Sequence, residues 1–451
     1  MNTPICDFVQ RYAKSDALRL HMPGHKGKAL LGIEHLDITE ITGADSLFEA
    51  DGIIAESEQN AGELFGAHTF YSTEGSSLCI RAMLTLVAQN TPKRGEKTLI
   101  LAGRNAHRAF LTAVALLDLD VEWLWQEEND SYLSCTVTPT ALDARLSAML
   151  QKPAAVYLTS PDYLGNRADL AGLAEICHRH GVLLLVDNAH GAYLKFLPDL
   201  AHPMDLGADL CCDSAHKTLP ALTGCAYLHI SKAAPACFAQ QAKDAMALFA
   251  STSPSYLLLQ SLDAVNRYLA EGYSKQLAAF AELAEQQKAS LTTLGYTFCG
   301  NEPLKWTIVT KPYGYLGTEL AAVLEKNGIV CEFSDSDHCV LMLTPELELR
   351  GLERLYRALS ALPRREEIPQ YAPKACRPQR VCTPREAMLA PAEILPTEQC
   401  IGRVLAKATV ACPPAVPVAV CGERIDEATA RAMLYYGTKH CAVIKKIDGI
   451  C

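Results

Sequence analysis

Residues 182–191 read VLLLVDNAHG, an apolar run that stops at a carboxylate, Asp187. A run that is apolar at successive positions, without alternation, suits a strand buried on both faces, the kind found in parallel sheets covered by helices. Upstream, RADLAGLAEICHRHG (167–181) puts Leu170, Leu173, Ala174 and Cys177 on one helical face and ends at Gly181, a helix stop. Two runs of the same type come earlier: KTLILAG (97–103), followed by a helical stretch over 106–117, and AAVYLTS (154–160), closed by the turn-like PDYLGN. ADLCCDS (208–214) and CAYLHI (225–230) extend the pattern. Strands alternating with helices predict an α/β fold around a mainly parallel sheet. Ligands of such folds bind beyond the carboxyl ends of the strands. The polar residues that follow each run are therefore expected to converge: Asn105 and His107, Asp162 and Tyr163, Asp187 and His190, and Ser214, His216 and Lys217.

The chain has 451 residues, 49% hydrophobic and 20% charged, as expected of a globular protein of two or three domains. Its formal charge of −10 argues against a nucleic-acid partner or an anionic membrane surface. The N-terminus lacks the apolar core of a signal peptide, and no apolar stretch reaches the ~18–20 residues that span a bilayer, so a cytoplasmic location is expected. The 18 cysteines are scattered with no C-x-x-C pair, which reads as free, buried thiols. His21 and His25 stand one helical turn apart, but Pro23 and Gly24 break any helix between them, so no metal site is expected.

The texture changes after about residue 230. The predicted organisation is an N-terminal segment (1–45), a major domain with connecting helices (46–295), a small α+β domain (296–365), a proline-rich charged linker (366–379) and a C-terminal module (380–451).

Three features carry chemistry. Gly75-Ser76-Ser77 opens an apolar helical stretch; this is either an anion cradle, built from close backbone approach, hydroxyls and a helix N-terminus, or ordinary N-capping by serine. Asp187 ends a buried strand, as a capping group or as partner to a cation. Ala189, two residues on, is small enough to lie against a flat ring. Lys217, in DSAHKTLPALTG (213–224), is either a surface lysine or an amine whose pKa is lowered for condensation with a carbonyl. Taken together, a phosphate cradle, a strand-end aspartate and a strand-end lysine match the needs of pyridoxal 5'-phosphate: a covalent anchor, a carboxylate on the ring nitrogen and a phosphate site. His107, in GRNAHRAF, could stack on the ring.

LHMPGHKG (20–27), DITEITGADSLFEADGIIAESEQNAGELFGA (37–67), EGSS (74–77), RNAHRA (104–109), VDNAHGAY (186–193), SAHKTLPALTG (214–224) and STSPSYLLLQSLDA (251–264) resemble, in order and over nearly the whole chain, the Orn/Lys/Arg decarboxylase family in its short form without an N-terminal wing domain. The resemblance implies a fold-type I, pyridoxal-phosphate-dependent enzyme that removes the α-carboxylate of arginine, lysine or ornithine as CO2. It implies that Lys217 anchors the cofactor, that Asp187 pairs with the ring nitrogen, and that Ala189 and His107 pack on the two ring faces. It further implies that Gly75, Ser76, Ser77 and Ser214 hold the phosphate, with His190 and His216 beside the cofactor. Thr252 would reach the phosphate of a neighbouring subunit, which makes a homodimer or higher homo-oligomer the expected assembly. The family usually has Asn at 74, Cys at 106, Glu at 188 and often Gln at 224, where this chain has Glu74, Ala106, Asn188 and Gly224. These departures bear on the substrate more than on the cofactor, with Glu74 and Glu423 as candidate substrate contacts. Two alternatives stand beside it. An aminotransferase or β-eliminating lyase would use the same residues and is told apart by its products. Against a non-catalytic regulator the intact lysine, aspartate and phosphate hydroxyls speak, and failure to take up cofactor would favour it.

Overall fold

The structure, a computed structural model, describes residues 1–91, 97–125, 131–199, 201–369, 371–408 and 414–445. Parts of the predicted C-terminal module, 409–413 and 446–451, lie outside the described residues. The chain divides into two compact units, Met1–Thr91 with Leu170–Ala278, and Pro92–Asp169 with Ala279–Cys451. In chain order the first seven strands are β1 (His68–Ser72), β2 (Leu99–Gly103), β3 (Asp120–Leu124), β4 (Ala155–Thr159), β5 (Leu183–Asp187), β6 (Leu210–Asp213) and β7 (Ala226–Ile230).

The first unit holds β1, β7, β6 and β5, adjacent in that order. β5 and β6 are parallel, with Asp187 opposite Cys212, while β7 runs antiparallel to both β6 and β1. The reversal at β7 follows from its connection. Residues 214–225 hold only the four-residue helix Ala215–Thr218 and a turn, with no crossover helix to carry the chain back. β6 and β7 are buried along their whole lengths, as unbroken apolar runs predict. The helix Ser76–Asn90 packs against the helix Ala236–Ala247 and buries Leu78, Ile80, Met83, Leu84 and Val87. Its first turn, the turn after β5 and the turn after β6 carry the polar residues read from the sequence.

The second unit holds β4, β2 and β3 in that order, all parallel, with Ile100 opposite Ala155 and Leu99 opposite Asp120. It also contains an antiparallel sheet of β8 (Thr297–Cys299), β9 (Lys305–Val309), β10 (Phe333–Ser334) and β11 (His338–Met342), ordered β10-β11-β9-β8. Near the C-terminus, β12 (Ala392–Pro396) pairs antiparallel with β13 (His440–Ile444) over a core of Leu405, Ile425, Met433 and Val443. The helix Glu427–Tyr435 is capped by Asp426, whose Oδ1 accepts the Thr429 N–H at 2.7 Å. Among the described residues no helix is long and apolar enough to cross a membrane.

Candidate active site

Gly75, Ser76, Ser77, Asp187, Ala189, His190, Ser214, His216, Lys217 and Thr252 all fall in the first unit; His107 and Glu423 fall in the second. The N-cap of the helix Ser76–Asn90 is Gly75, at φ 70° and ψ 178°, a conformation that is essentially glycine's alone. With no side chain at that cap, the first helical N–H groups are left to an external acceptor, and the helix dipole favours an anion there. Serine capping, the simpler reading of this stretch, does not apply. Ser76 Oγ instead accepts a hydrogen bond from Ser214 Oγ at 2.8 Å, which joins the helix start to the turn after β6. The ring of His216 lies over the same glycine, since a Cβ on Gly75 would meet His216 Cε1 at 3.9 Å.

The short helix Ala215–Thr218 fixes the next two residues. His216 is tied at Nδ1 to the Cys225 carbonyl, 2.8 Å away, so Nδ1 carries the proton. Burial lowers its pKa from the ordinary 6.5, the Cys225 contact opposes this, and the Lys217 charge adds to the lowering. Lys217 Nζ stands 3.1 Å from His190 Nε2, so one member of that pair must present a lone pair to the other. His190 follows β5, as does Asp187, which is 2% exposed and whose Oδ1 accepts the Ala189 N–H at 3.2 Å. Of the residues expected to converge, those after β5 and β6 meet in this unit through His190 and Lys217, while Asn105, His107, Asp162 and Tyr163 fall in the second unit.

Some residues that departed from the expected pattern have local structural roles. Gly224 was read as bearing on substrate, but its carbonyl accepts the Gly75 N–H at 2.8 Å, so it fixes the cradle. At φ 105°, with a Cβ position only 3.0 Å from Leu258 Cδ1 and 3.1 Å from the Thr73 carbonyl, a side chain there would be strained and crowded. Glu74 is exposed, and its Oε1 accepts the Ser251 N–H at 2.7 Å, which anchors the exposed segment carrying Thr252. In the second unit, Glu423 Oε2 accepts from Arg104 Nη2 at 2.9 Å and from the Val420 N–H at 2.8 Å, with both charged side chains almost fully buried. The Arg104 guanidinium also lies 5.3 Å from the Trp123 ring centroid and 5.2 Å from that of Trp125. This carboxylate is held in a buried ion pair. His107 caps the helix Arg108–Leu117, accepting the Ala109 N–H at Nδ1 over 3.1 Å.

One group was missed. Asp213, the last residue of β6, is fully buried; its Oδ2 accepts from His202 Nε2 at 3.0 Å and His229 Nε2 at 3.2 Å, and its Oδ1 from Asn188 Nδ2 at 2.6 Å. Burial would raise its carboxyl, but the two histidines outweigh that and hold it below the usual range. Asn188 lies between Asp187 and Ala189, so this buried cluster braces the turn that presents them. The signal available was a pair of polar residues, Asp213 and His229, set inside apolar runs.

Known proteins resemble the chain at both levels. The model of the Orn/Lys/Arg decarboxylase major domain matches residues 3–298. The arginine decarboxylase of Halalkalibacterium halodurans is 29% identical over 94% of this chain and 91% of its own length, and that of Bacillus subtilis is 28% identical over the same shares. Among solved structures, the Francisella novicida lysine decarboxylase LdcF superposes with a TM-score of 0.79 at 16% identity, covering 98% of this chain and 81% of its own. The constitutive lysine decarboxylase of E. coli gives 0.76 at 18%, covering 98% and 82%. At these identities the superpositions establish the fold, which is fold-type I. The chain belongs to the Orn/Lys/Arg decarboxylase family.

Proposed function

We propose that this chain is a pyridoxal-phosphate-dependent decarboxylase of a basic amino acid, with arginine the first candidate substrate, acting as a homodimer or higher homo-oligomer in the cytoplasm. The observation that carries the reading is the meeting, in one compact unit, of an amine (Lys217), a buried strand-end carboxylate (Asp187) and a glycine-capped helix start joined to Ser214 through Ser76. These residues fit the cofactor. The uncapped helix start and the hydroxyls of Ser76, Ser77 and Ser214 suit a phosphate, and buried Asp187 suits a protonated ring nitrogen. When bound, the cofactor supplies an electron sink for the pair released as the α-carboxylate leaves as CO2.

The chain's own residues do the rest. Lys217 would hold the cofactor covalently through its amine. Asp187 would keep the proton on the ring nitrogen, and Ala189, small and nearly buried, would allow a flat ring to approach. His216, with its Nδ1 proton committed to the Cys225 carbonyl, keeps Nε2 as a group able to hold or accept a proton; it or Lys217 would return a proton to Cα. His107 is the candidate for stacking. Arginine comes first because the Halalkalibacterium halodurans and Bacillus subtilis relatives are arginine decarboxylases. Exposed Thr252, held beside Glu74, would serve the phosphate site of a second copy. The described cysteines are free thiols, which suits a reducing compartment. The test is to incubate the cofactor-loaded protein separately with arginine, lysine and ornithine. Release of CO2 and agmatine from arginine, at the highest kcat/KM of the three, is expected; keto-acid formation without CO2 would reject the reading.

A further inference from the structure

In the second unit the hairpin of β10 and β11 brings two cysteines together. Cys339 lies in β11, opposite Ser334 of β10. Cys331 stands just before β10, and its neighbour Glu332 donates an N–H to the Val340 carbonyl at 3.0 Å, so the pairing reaches back to that cysteine. Both thiols are free, and Cys339 donates its S–H to Cys331 Sγ with the sulfurs 3.4 Å apart. A disulfide holds its sulfurs about 2.05 Å apart, so this pair has only about 1.4 Å to close.

The two thiols are not equivalent. Cys339 is fully buried, whereas Cys331 is half-buried and lies on the wall of a cavity of about 450 Å³ with Ile329, Met342, Leu347 and Arg354. A water molecule takes up about 30 Å³, so a molecule the size of hydrogen peroxide has room beside that wall. The hydrogen bond from Cys339 lowers the Cys331 thiol from the ordinary 9.0, with burial and the Glu325 charge opposing; the same bond and burial raise Cys339. The half-buried thiols Cys6, Cys299, Cys376 and Cys382 all go the other way, pushed up chiefly by burial. The thiolate is the nucleophile, so oxidation is directed to Cys331. We propose that Cys331 and Cys339 are a peroxide-responsive thiol pair, in which hydrogen peroxide oxidises Cys331 and Cys339 closes the disulfide. The Cys331 thiolate attacks one peroxide oxygen and the O–O bond breaks. Hydroxide leaves and is protonated to water, and the sulfur is left as a sulfenic acid. The Cys339 sulfur then attacks that of Cys331: the S–S bond forms, the S–O bond breaks, and the departing hydroxide takes the Cys339 proton as water. Two thiols and one peroxide thus become a disulfide and two waters, and a dithiol reductant reverses the change by exchange. The bond locks the hairpin beside Glu332, whose Oε1 accepts the Tyr163 hydroxyl at 2.8 Å. None of this depends on the decarboxylation proposed above.

The test treats the cofactor-loaded protein with a small molar excess of hydrogen peroxide, blocks remaining thiols with iodoacetamide and maps the peptides by mass spectrometry. Wild type is compared with Cys331→Ser and Cys339→Ser, each with its cofactor absorbance checked against wild type. In wild type, the peptide carrying both cysteines should escape alkylation and be lighter than its reduced form by two hydrogens, and dithiothreitol should restore it. Cys339→Ser keeps a hydrogen-bond donor but removes the second sulfur, so Cys331 should stop at the sulfenic acid and be captured by dimedone. In Cys331→Ser, oxidation of Cys339 should be roughly tenfold or more slower than in wild type, because the buried thiol has lost its reactive partner. Three results would overturn the proposal: full alkylation of both cysteines while other thiols oxidise, a disulfide from Cys331 to a different cysteine, or oxidation of Cys339 at the wild-type rate without Cys331.

Discussion

The strand-end placement of Lys217 and Asp187 was legible because each follows an unbroken apolar run, and the ends of such strands are where this class of fold gathers ligands. Asp213 was legible only as a polar residue inside an apolar run, because its partners His202 and His229 stand 11 and 16 residues away, a spacing that matches no local period. The pairing of Glu423 was hidden for the same reason: Arg104, which donates to its carboxylate, is 319 residues distant. Two histidines, His229 buried and His216 half-buried, also bear on the acid stability. Burial lowers the pKa of His216 and of His229 from 6.5, so the unfolded chain takes up protons before the folded one does. Their contribution is fully present above pH 6.5 and lost as pH falls from there through the lowered values. Urea midpoints should therefore be level above about pH 7 and decline on acidification below about pH 6.5. A midpoint that holds steady or rises down to pH 5 would contradict this, and His229→Asn should flatten the slope.

At the scale of elements, the decisive piece is the start of the helix Ser76–Asn90. Its apolar pattern and the Gly-Ser-Ser before it announced a helix N-terminus, but not which residue caps it. That depended on the turn after β7's neighbour β6, where Gly224 grips the Gly75 N–H, a contact between segments about 150 residues apart in sequence. The reversal at β7 was likewise hidden, since a buried strand reads the same in either direction. Because Gly75 sits at φ 70° and ψ 178°, Gly75→Ala should cost about 1–3 kcal/mol of backbone strain. The loss falls on the conformation that presents the helix N–H groups, so cofactor retention should weaken roughly tenfold or more. Fluorescence titration of the apoprotein with pyridoxal phosphate reads this directly, and an unchanged dissociation constant would remove the helix start from the phosphate site.

For the whole molecule, the proposed assembly has a surface to match. Leu18, Leu20, Leu30 and Leu31 in the N-terminal segment are 81–89% exposed, apolar side chains that a second copy would cover. The double variant Leu30→Ser, Leu31→Ser should shift the protein toward monomer in sedimentation experiments. It should also lower activity if Thr252 serves a second copy's site; a wild type already monomeric would reject the assembly. The overall architecture was readable because its signal, apolar runs alternating with helices, repeats along the chain. The residues that tune the sites were not, because each takes its meaning from one distant partner. The account as a whole stands on Lys217. With arginine, the wild-type holoenzyme should release CO2 and agmatine in equal amounts. Lys217→Ala should lose the absorbance of the lysine-linked cofactor and nearly all turnover, a drop on the order of a thousandfold or more for removal of a covalent catalytic group. Decarboxylation by Lys217→Ala at the wild-type rate would contradict the central claim.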